Sequence, residues 1–250
     1  MTRRFFITGT DTDAGKTLTS GTVLQAAVQA GFSAFGLKPV AAGCDQQADG
    51  ALVNDDALLH QQCSAPSHVY AVHNPIALKA AIAPHIAAEQ EGRPMTLQQL
   101  VDVCLDSLHQ APADVQLVEG AGGWLVPINE EHTLADLAVA LNEQTDEPRL
   151  EVILVVGLRL GCINHAMLTL ESIQHRGLKV AGWVANSLSP SMEVEDANFR
   201  YLHQAFEHAG VPCVGQIPWQ PALAGKQGMD SLPGKIQTAR SLAGNISLFR

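Results

Sequence analysis

The sequence predicts an α/β fold: a mostly parallel β-sheet with helices on both faces. Three observations predict it. Apolar runs alternate with helical stretches along the whole chain, the order produced by strands joined through helical crossovers. Those runs are short and continuously apolar rather than alternating, as strands buried on both faces require. The polar residues able to carry chemistry fall at the ends of the runs: Lys16, Lys38, Glu119, the stretch 157–164 and Asn186. Open parallel sheets collect ligands at their carboxyl ends. With no internal repeat and no low-complexity linker, residues 1–250 read as one domain.

The first strand is the run 5–7, followed by a polar loop and a helix over 18–30 that Gly31 closes. A second strand covers 33–40 and ends in Lys38-Pro39-Val40. Residues 41–54, rich in Gly, Gln and Asp, read as a loop, and Asp55 opens a short helix. The stretch 64–94 is irregular, with one short helix near 77–88. Thr96 is an N-cap for a helix over 97–109. Strands follow at 115–118, 151–156, 179–185 and 211–217. Helices fall between and after them at 134–142, 162–175, 194–209 and, in the tail, 236–242.

The loop after the first strand carries the strongest signal. Gly9-Thr10-Asp11-Thr12-Asp13-Ala14-Gly15-Lys16-Thr17 lies between a strand and a helix, the context of a phosphate-binding P-loop. Backbone N–H groups of such a loop and the first helical turn point at one spot, and the helix dipole adds positive charge there. Lys16 supplies a full charge for the β- and γ-phosphates, and the Thr17 hydroxyl suits Mg²⁺. Five residues separate Gly9 from Gly15, one more than the standard spacing. The fold is therefore P-loop NTPase-like, with a nucleotide and Mg²⁺ as the expected ligands of this loop.

Composition narrows the partners. A net charge of −10 with 15 basic residues argues against nucleic acid or an anionic membrane. Cys44, Cys63, Cys104, Cys162 and Cys213 are scattered and odd in number, without a C-x-x-C pair, so a disulfide framework or zinc site is not expected and a reducing cytoplasm fits. No signal peptide is read at the start. The strongest apolar run, 152–158, is far shorter than the ~20 residues of a membrane span.

Other candidates admit two readings each. Lys38 is either an exposed strand-end lysine or a second cation at the phosphate site. Glu119, after a buried run and before small residues, is either a Walker-B-like acid that holds Mg²⁺ directly or through water, or a helix-start acid. Asp55 and Asp56 either cap the following helix or bring in a metal ligand. Asp13 either stabilises a turn or contacts a cation or an amine beside the phosphates. The helix starting near Cys162 either binds an anion or is an ordinary helix start. The ten histidines form no metal-ligand spacing and read mostly as surface or capping residues.

Taken together, these segments resemble the dethiobiotin synthetases. The resemblance rests on Thr8 to Thr17, Lys38-Pro39-Val40, Asn54-x-Asp56-Ala57-Leu58 and Val118-Glu119-Gly120-Ala121-Gly122-Gly123-Trp124. It rests also on Val155-Val156-Gly157, on Gly161-Cys162-Ile163-Asn164-His165-Ala166-Met167-Leu168-Thr169 and on Gly182-Trp183-Val184-Ala185-Asn186. It runs over residues 3 to 218 and fades after Trp219. It implies ATP-dependent closure of a ureido ring from 7,8-diaminononanoate and CO₂, through a carbamate and a carbamic–phosphoric mixed anhydride. It implies nucleotide contacts at Asp13, Ala14, Gly15, Lys16, Thr17, Leu18, Glu119, Gly122, Asn186 and Pro218, with Asn186 toward the adenine. It implies Mg²⁺ ligands Thr17, Asp56 rather than Asp55, and Glu119. Substrate contacts would be Thr12, Lys38, Ala42, Cys162, Ile163 and Asn164, with Lys38, Lys16, Asp13 and Thr12 in catalysis. The Cys162 helix would come from the neighbouring subunit of a homodimer.

Three positions depart from the family's pattern. Asp13 stands where many members carry Glu, and Ala42 and Ala83 replace a common Ser. One lost neutral hydrogen bond costs about 0.5–1.5 kcal/mol, so a paralogue acting on a different diamine stays open. A partner-regulated ATPase switch of the partitioning and targeting type is the competing reading. That group carries an extra lysine early in the loop, where this chain has Thr10. Cobyrinate-type amide synthetases need an added glutaminase domain, for which 250 residues leave no room.

Overall fold

Phe5 and Ile7 are buried on one side of the first strand and Phe6 on the other, so the run is apolar throughout because both of its faces are covered. The computed structural model describes residues 2–145, 149–190, 192–223 and 231–249. In chain order it begins β1 (Arg3–Gly9), α1 (Lys16–Gln29), β2 (Ala34–Leu37), β3 (Val40–Ala41), β4 (Asp45–Gln46), β5 (Leu52–Val53) and α2 (Asp55–Cys63). Next come α3 (Tyr70–His73), β6 (Ile76–Ala77), α4 (Pro84–Gln90), α5 (Leu97–Gln110), β7 (Val115–Gly123) and α6 (Leu134–Gln144). The chain ends with β8 (Glu151–Leu158), α7 (Cys162–His175), β9 (Val180–Ser187), α8 (Glu195–His208), β10 (Cys213–Ile217) and α9 (Leu232–Leu242).

A six-stranded sheet runs β10-β9-β8-β1-β7-β2, and every pairing in it is parallel. Phe6, Leu37, Val118, Leu154 and Trp183 bury against α5, α6, α7 and α8 on one face, while Phe5, Ile7, Leu117, Val155 and Val184 face α1, α2 and α9 on the other. From β1 the chain moves toward β2, and from β8 it moves toward β9. The crevice between the carboxyl ends of β1 and β8 is thus the switch point where such sheets bind ligands.

Local differences from the sequence expectation trace to proline and to strand length. The strand read over 33–40 breaks at Pro39, and Val40–Ala41 leaves the main sheet to pair with Ile76–Ala77. The helix read near 77–88 starts at Pro84 instead. Proline fits the first helical turn, and the residue before it is held extended; Ala83 has φ −55° and ψ 133°. The loop 41–54 contains the hairpin of β4 and β5. The tail helix begins at Leu232, capped by the Ser231 hydroxyl. Glu119, Gly157 and Asn186 lie inside β7, β8 and β9 rather than just beyond them, because these strands run on past their apolar cores.

The outer edge of β2 is covered by side chains. Ser64 Oγ accepts from the Gly36 N–H at 3.0 Å, and His73 Nδ1 donates to the Gly36 carbonyl at 2.7 Å. Covering an edge in this way blocks strand addition by another chain. His73 Nε2 also accepts from the His68 N–H at 3.3 Å, so the neutral ring uses both nitrogens. Burial pushes His73 down to about 4. Between that value and the ordinary one near 6.5 the unfolded chain holds more protons than the folded one, so stability falls as the pH falls. Wild-type protein should lose about 2 kcal/mol between pH 7 and pH 4.5 through this residue. Urea melts of wild type and His73→Gln at the two pH values measure it, and the variant should show the smaller loss.

Candidate active site

The site is built where β1 hands over to α1. Gly15 adopts φ 93°, a left-handed conformation that glycine enters without strain. A Cβ at Gly15 would also lie 1.9 Å from Asn186 Nδ2, whose amide donates to the Ala14 carbonyl at 2.9 Å. Asn186 on β9 therefore braces the loop from behind. Gly15→Ala should cost more than 1 kcal/mol of stability and weaken ATP binding at least tenfold; urea melts and nucleotide titration check both. Asp13 also has a positive φ, 59°, so its carboxylate sits on a turned-out segment. Asp11 pairs with Arg159 from the loop between β8 and α7, and its carbonyl accepts from Lys16 Nζ at 3.2 Å.

Side chains from three other parts of the fold converge on Glu119 of β7. Lys38, past the end of β2, reaches Glu119 Oε1 at 2.8 Å, Asp56 Oδ2 at 3.1 Å and the Gly120 carbonyl at 3.0 Å. From α1, Thr17 Oγ1 lies 2.7 Å from Asp56 Oδ1 and 3.3 Å from Glu119 Oε1. Ser20 Oγ donates to Glu119 Oε2 at 2.5 Å, and His60 Nε2 on α2 lies 2.8 Å from the same oxygen. Burial favours neutral forms of Lys38 and Glu119, but their mutual attraction wins. The Lys38 ammonium is held well above its ordinary value by Glu119 and Asp56, and the Glu119 carboxyl well below its own by Lys38 and His60. Lys16 goes the other way: burial, then the nearby Lys38 charge, bring it down to about 8. Glu119, Asp56 and Asp13 offset this only in part.

The two readings of several residues now separate. Lys38 is buried rather than exposed. The cap of α2 is Asn54, which accepts from the Asp56 N–H. Asp55 turns outward to Lys235 at 3.4 Å, whereas Asp56 faces Lys38 and Thr17.

Two hollows meet here. One, of about 330 Å³, is lined by residues including Gly15, Lys16, Thr17, Leu18, Leu223 and Lys235. The other, of about 590 Å³, is lined by residues including Ala42, Asn54, Ile82, Ala83, Ala121 and Val126. Thr12, Asp13, Lys38, Asp56 and Gly122 line both and form the shared wall. Pro218 lines a separate hollow of about 390 Å³ with Ser187, Glu195 and Trp219. Cys162, Ile163 and Asn164 line none of these three hollows. Cys162 is buried, Asn164 is exposed, and Leu160 before them is 92 % exposed.

Thr17, Asp56 and Glu119 fit Mg²⁺ by their chemistry: one hydroxyl and two carboxylates, all hard oxygens, with the Thr17 hydroxyl within hydrogen-bond distance of both carboxylates. Among the described residues no group of three or more His, Cys, Asp and Glu can hold a metal alone. A few protein oxygens supplemented by phosphate and water are what Mg²⁺ ordinarily uses. Sequence reasoning missed Ser20 and His60. The i, i+4 spacing of Asp56 and His60 on one helix was the available signal, since such residues share a face.

A family model described as an AAA domain matches residues 3–227. An ATP-dependent dethiobiotin synthetase of Cellvibrio japonicus is 53% identical over 216 residues, 86% of this chain and 89% of that protein. Another, from Escherichia coli, is 44% identical over 219 residues, covering 88% and 92%. Among solved structures, the septum site-determining protein MinD of Pyrococcus horikoshii superposes with a TM-score of 0.53 at 17% identity, covering 97% of this chain and 95% of that one. A ParA family ATPase from Chlorobium tepidum gives 0.54 at 12% identity, covering 97% and 96%. Likeness at that identity concerns the P-loop fold alone.

Proposed function

We propose a reaction path for a chain that belongs to the ATP-dependent dethiobiotin synthetase family and is therefore an ATP-dependent ligase of biotin synthesis. The substrates are 7,8-diaminononanoate, CO₂ and MgATP. The observation that carries the path is the wall shared by the two hollows, with Thr12, Asp13, Lys38 and Asp56 on both sides of it. The triphosphate occupies the hollow around Lys16, where loop N–H groups, the start of α1 and the Lys16 charge hold it. Ala14, Gly15, Leu18 and Gly122 contribute contacts there, and Asn186 and Pro218 lie toward the base. The diamine occupies the hollow around Ala42, its amines against Thr12 and Asp13.

One amine adds to CO₂ and loses a proton, giving a carbamate. A carbamate oxygen attacks the γ-phosphorus and ADP leaves. The second amine then attacks the carbonyl carbon, phosphate departs, and the ureido ring closes. Lys38 stands where carbamate and γ-phosphate meet and balances the charge of both. Mg²⁺ supplies neutralisation of the phosphate oxygens, and Thr17, Asp56 and Glu119 would hold it. Positioning accounts for much of the remaining rate.

The partner is a second copy of the chain. Cys162, Ile163 and Asn164 at the start of α7 take the substrate carboxylate in the neighbour's hollow, in keeping with their distance from the hollows of their own chain and with exposed Leu160 beside them. The whole chain works as one domain in the cytoplasm. Five free cysteines suit a reducing compartment, and no helix among the described residues is long and apolar enough to cross a membrane.

An oxygen-tracing experiment tests the path. With ¹⁸O-labelled bicarbonate, rapid quenching and mass analysis, the released phosphate should carry one bicarbonate oxygen. Unlabelled phosphate alongside labelled ureido product would exclude attack by the carbamate oxygen.

A further inference from the structure

His60 lines neither hollow, yet its ring is fully enclosed. Its Nε2 is 2.8 Å from Glu119 Oε2 and the residue has no exposed surface. An ionised carboxylate oxygen only accepts, so Nε2 carries the hydrogen. A Cβ added at Gly36 on β2 would come within 2.6 Å of His60 Nδ1, so the strand leaves room for this ring by being glycine there. The His60 carbonyl accepts from Ser64 Oγ at 2.7 Å, and that oxygen accepts in turn from the Gly36 N–H. Nδ1 is buried without a hydrogen-bond partner among the described residues, an arrangement that costs stability. The ring thus accepts one unpaired polar atom in order to place the other against Glu119.

Among the described residues, Ser20 is the other support of Glu119 on that side. Its Oε2 takes Ser20 and His60, and its Oε1 takes Lys38 and Thr17. The two oxygens are therefore separated by task. We propose that His60 is a positioning residue for the ligase reaction: with Ser20 it pins Glu119 Oε2 and thereby keeps Oε1 turned toward Thr17, Lys38 and the metal cluster. This rests on the proposal that Glu119 helps hold Mg²⁺. Hydrogen-bond partners of metal-holding carboxylates commonly alter metal affinity ten- to a hundredfold when removed.

The test uses full-length protein with ADP and Mn²⁺ as a paramagnetic probe of the cluster, free Mn²⁺ being read by electron paramagnetic resonance. His60→Leu, which keeps the volume and loses the donor, should weaken Mn²⁺ binding about tenfold. His60→Gln, which offers an N–H near the Nε2 position, should stay within about threefold of wild type. Wild-type affinity in His60→Leu, or equal losses in both variants, would overturn the inference. Glu119→Gln separates the two levels: if it binds Mn²⁺ as wild type does, the metal reading itself fails. If His60→Leu does not fold, ¹⁵N-histidine spectra of wild-type protein decide. A hydrogen on Nε2 of His60 upholds the inference, and a bare Nε2 overturns it.

Discussion

Lys16→Ala should lose ATP-dependent turnover by about a thousandfold while keeping its fold, the scale seen when one preorganised charge is removed from a reaction site. The reason for the contrast lies in how Lys16 is housed. It is 7 % exposed and sits near Lys38, and its only hydrogen-bond acceptor among the described contacts is the Asp11 carbonyl. Burial and the Lys38 charge bring it down to about 8, so the folded protein bears a cost for this charge below that pH. The cost is relieved as the pH rises from about 8 toward 10.5. A group held at a loss in the free protein returns its benefit when phosphate charge arrives. Removing it spares the fold and costs the reaction. Single-turnover kinetics and urea melts measure the two effects, and normal turnover in the variant would refute the phosphate-loop assignment.

Lys38→Met should damage both. Lys38 is the main counter-charge of the buried Glu119, and it also engages Asp56. Removing one partner of a buried pair costs about 3–5 kcal/mol. The lower end applies because Thr17, Ser20 and His60 still donate to the orphaned Glu119. Turnover should fall about a hundredfold or more, since the proposed path loses the charge that faces carbamate and phosphate. Equilibrium unfolding and steady-state assays report the two losses. Unchanged stability would mean that neutral donors alone hold Glu119.

The parallel sheet was legible because its strands are apolar on both faces: Phe5 and Ile7 fill one side of the first strand and Phe6 the other. Lys16, Lys38 and Glu119 were legible as candidates because each sits at or beyond the end of an apolar run or at a helix start. The choice between Asp55 and Asp56 was not readable from helix capping. It depends on Asn54 taking the cap and Lys235 taking Asp55, a contact 180 residues away in sequence. His60 and Ser20 stayed hidden for a similar reason: nothing in a sequence says which buried polar side chain meets a carboxylate from a distant strand. Pro39 and Pro84 mark breaks that apolar content alone obscured, since proline acts through backbone geometry rather than hydrophobicity.

The most direct test of the account is product analysis with purified protein, MgATP, bicarbonate and 7,8-diaminononanoate. ADP release should depend on the diamine and be matched by dethiobiotin, identified by mass. ADP release that proceeds equally without the diamine, with no ureido product, would contradict it.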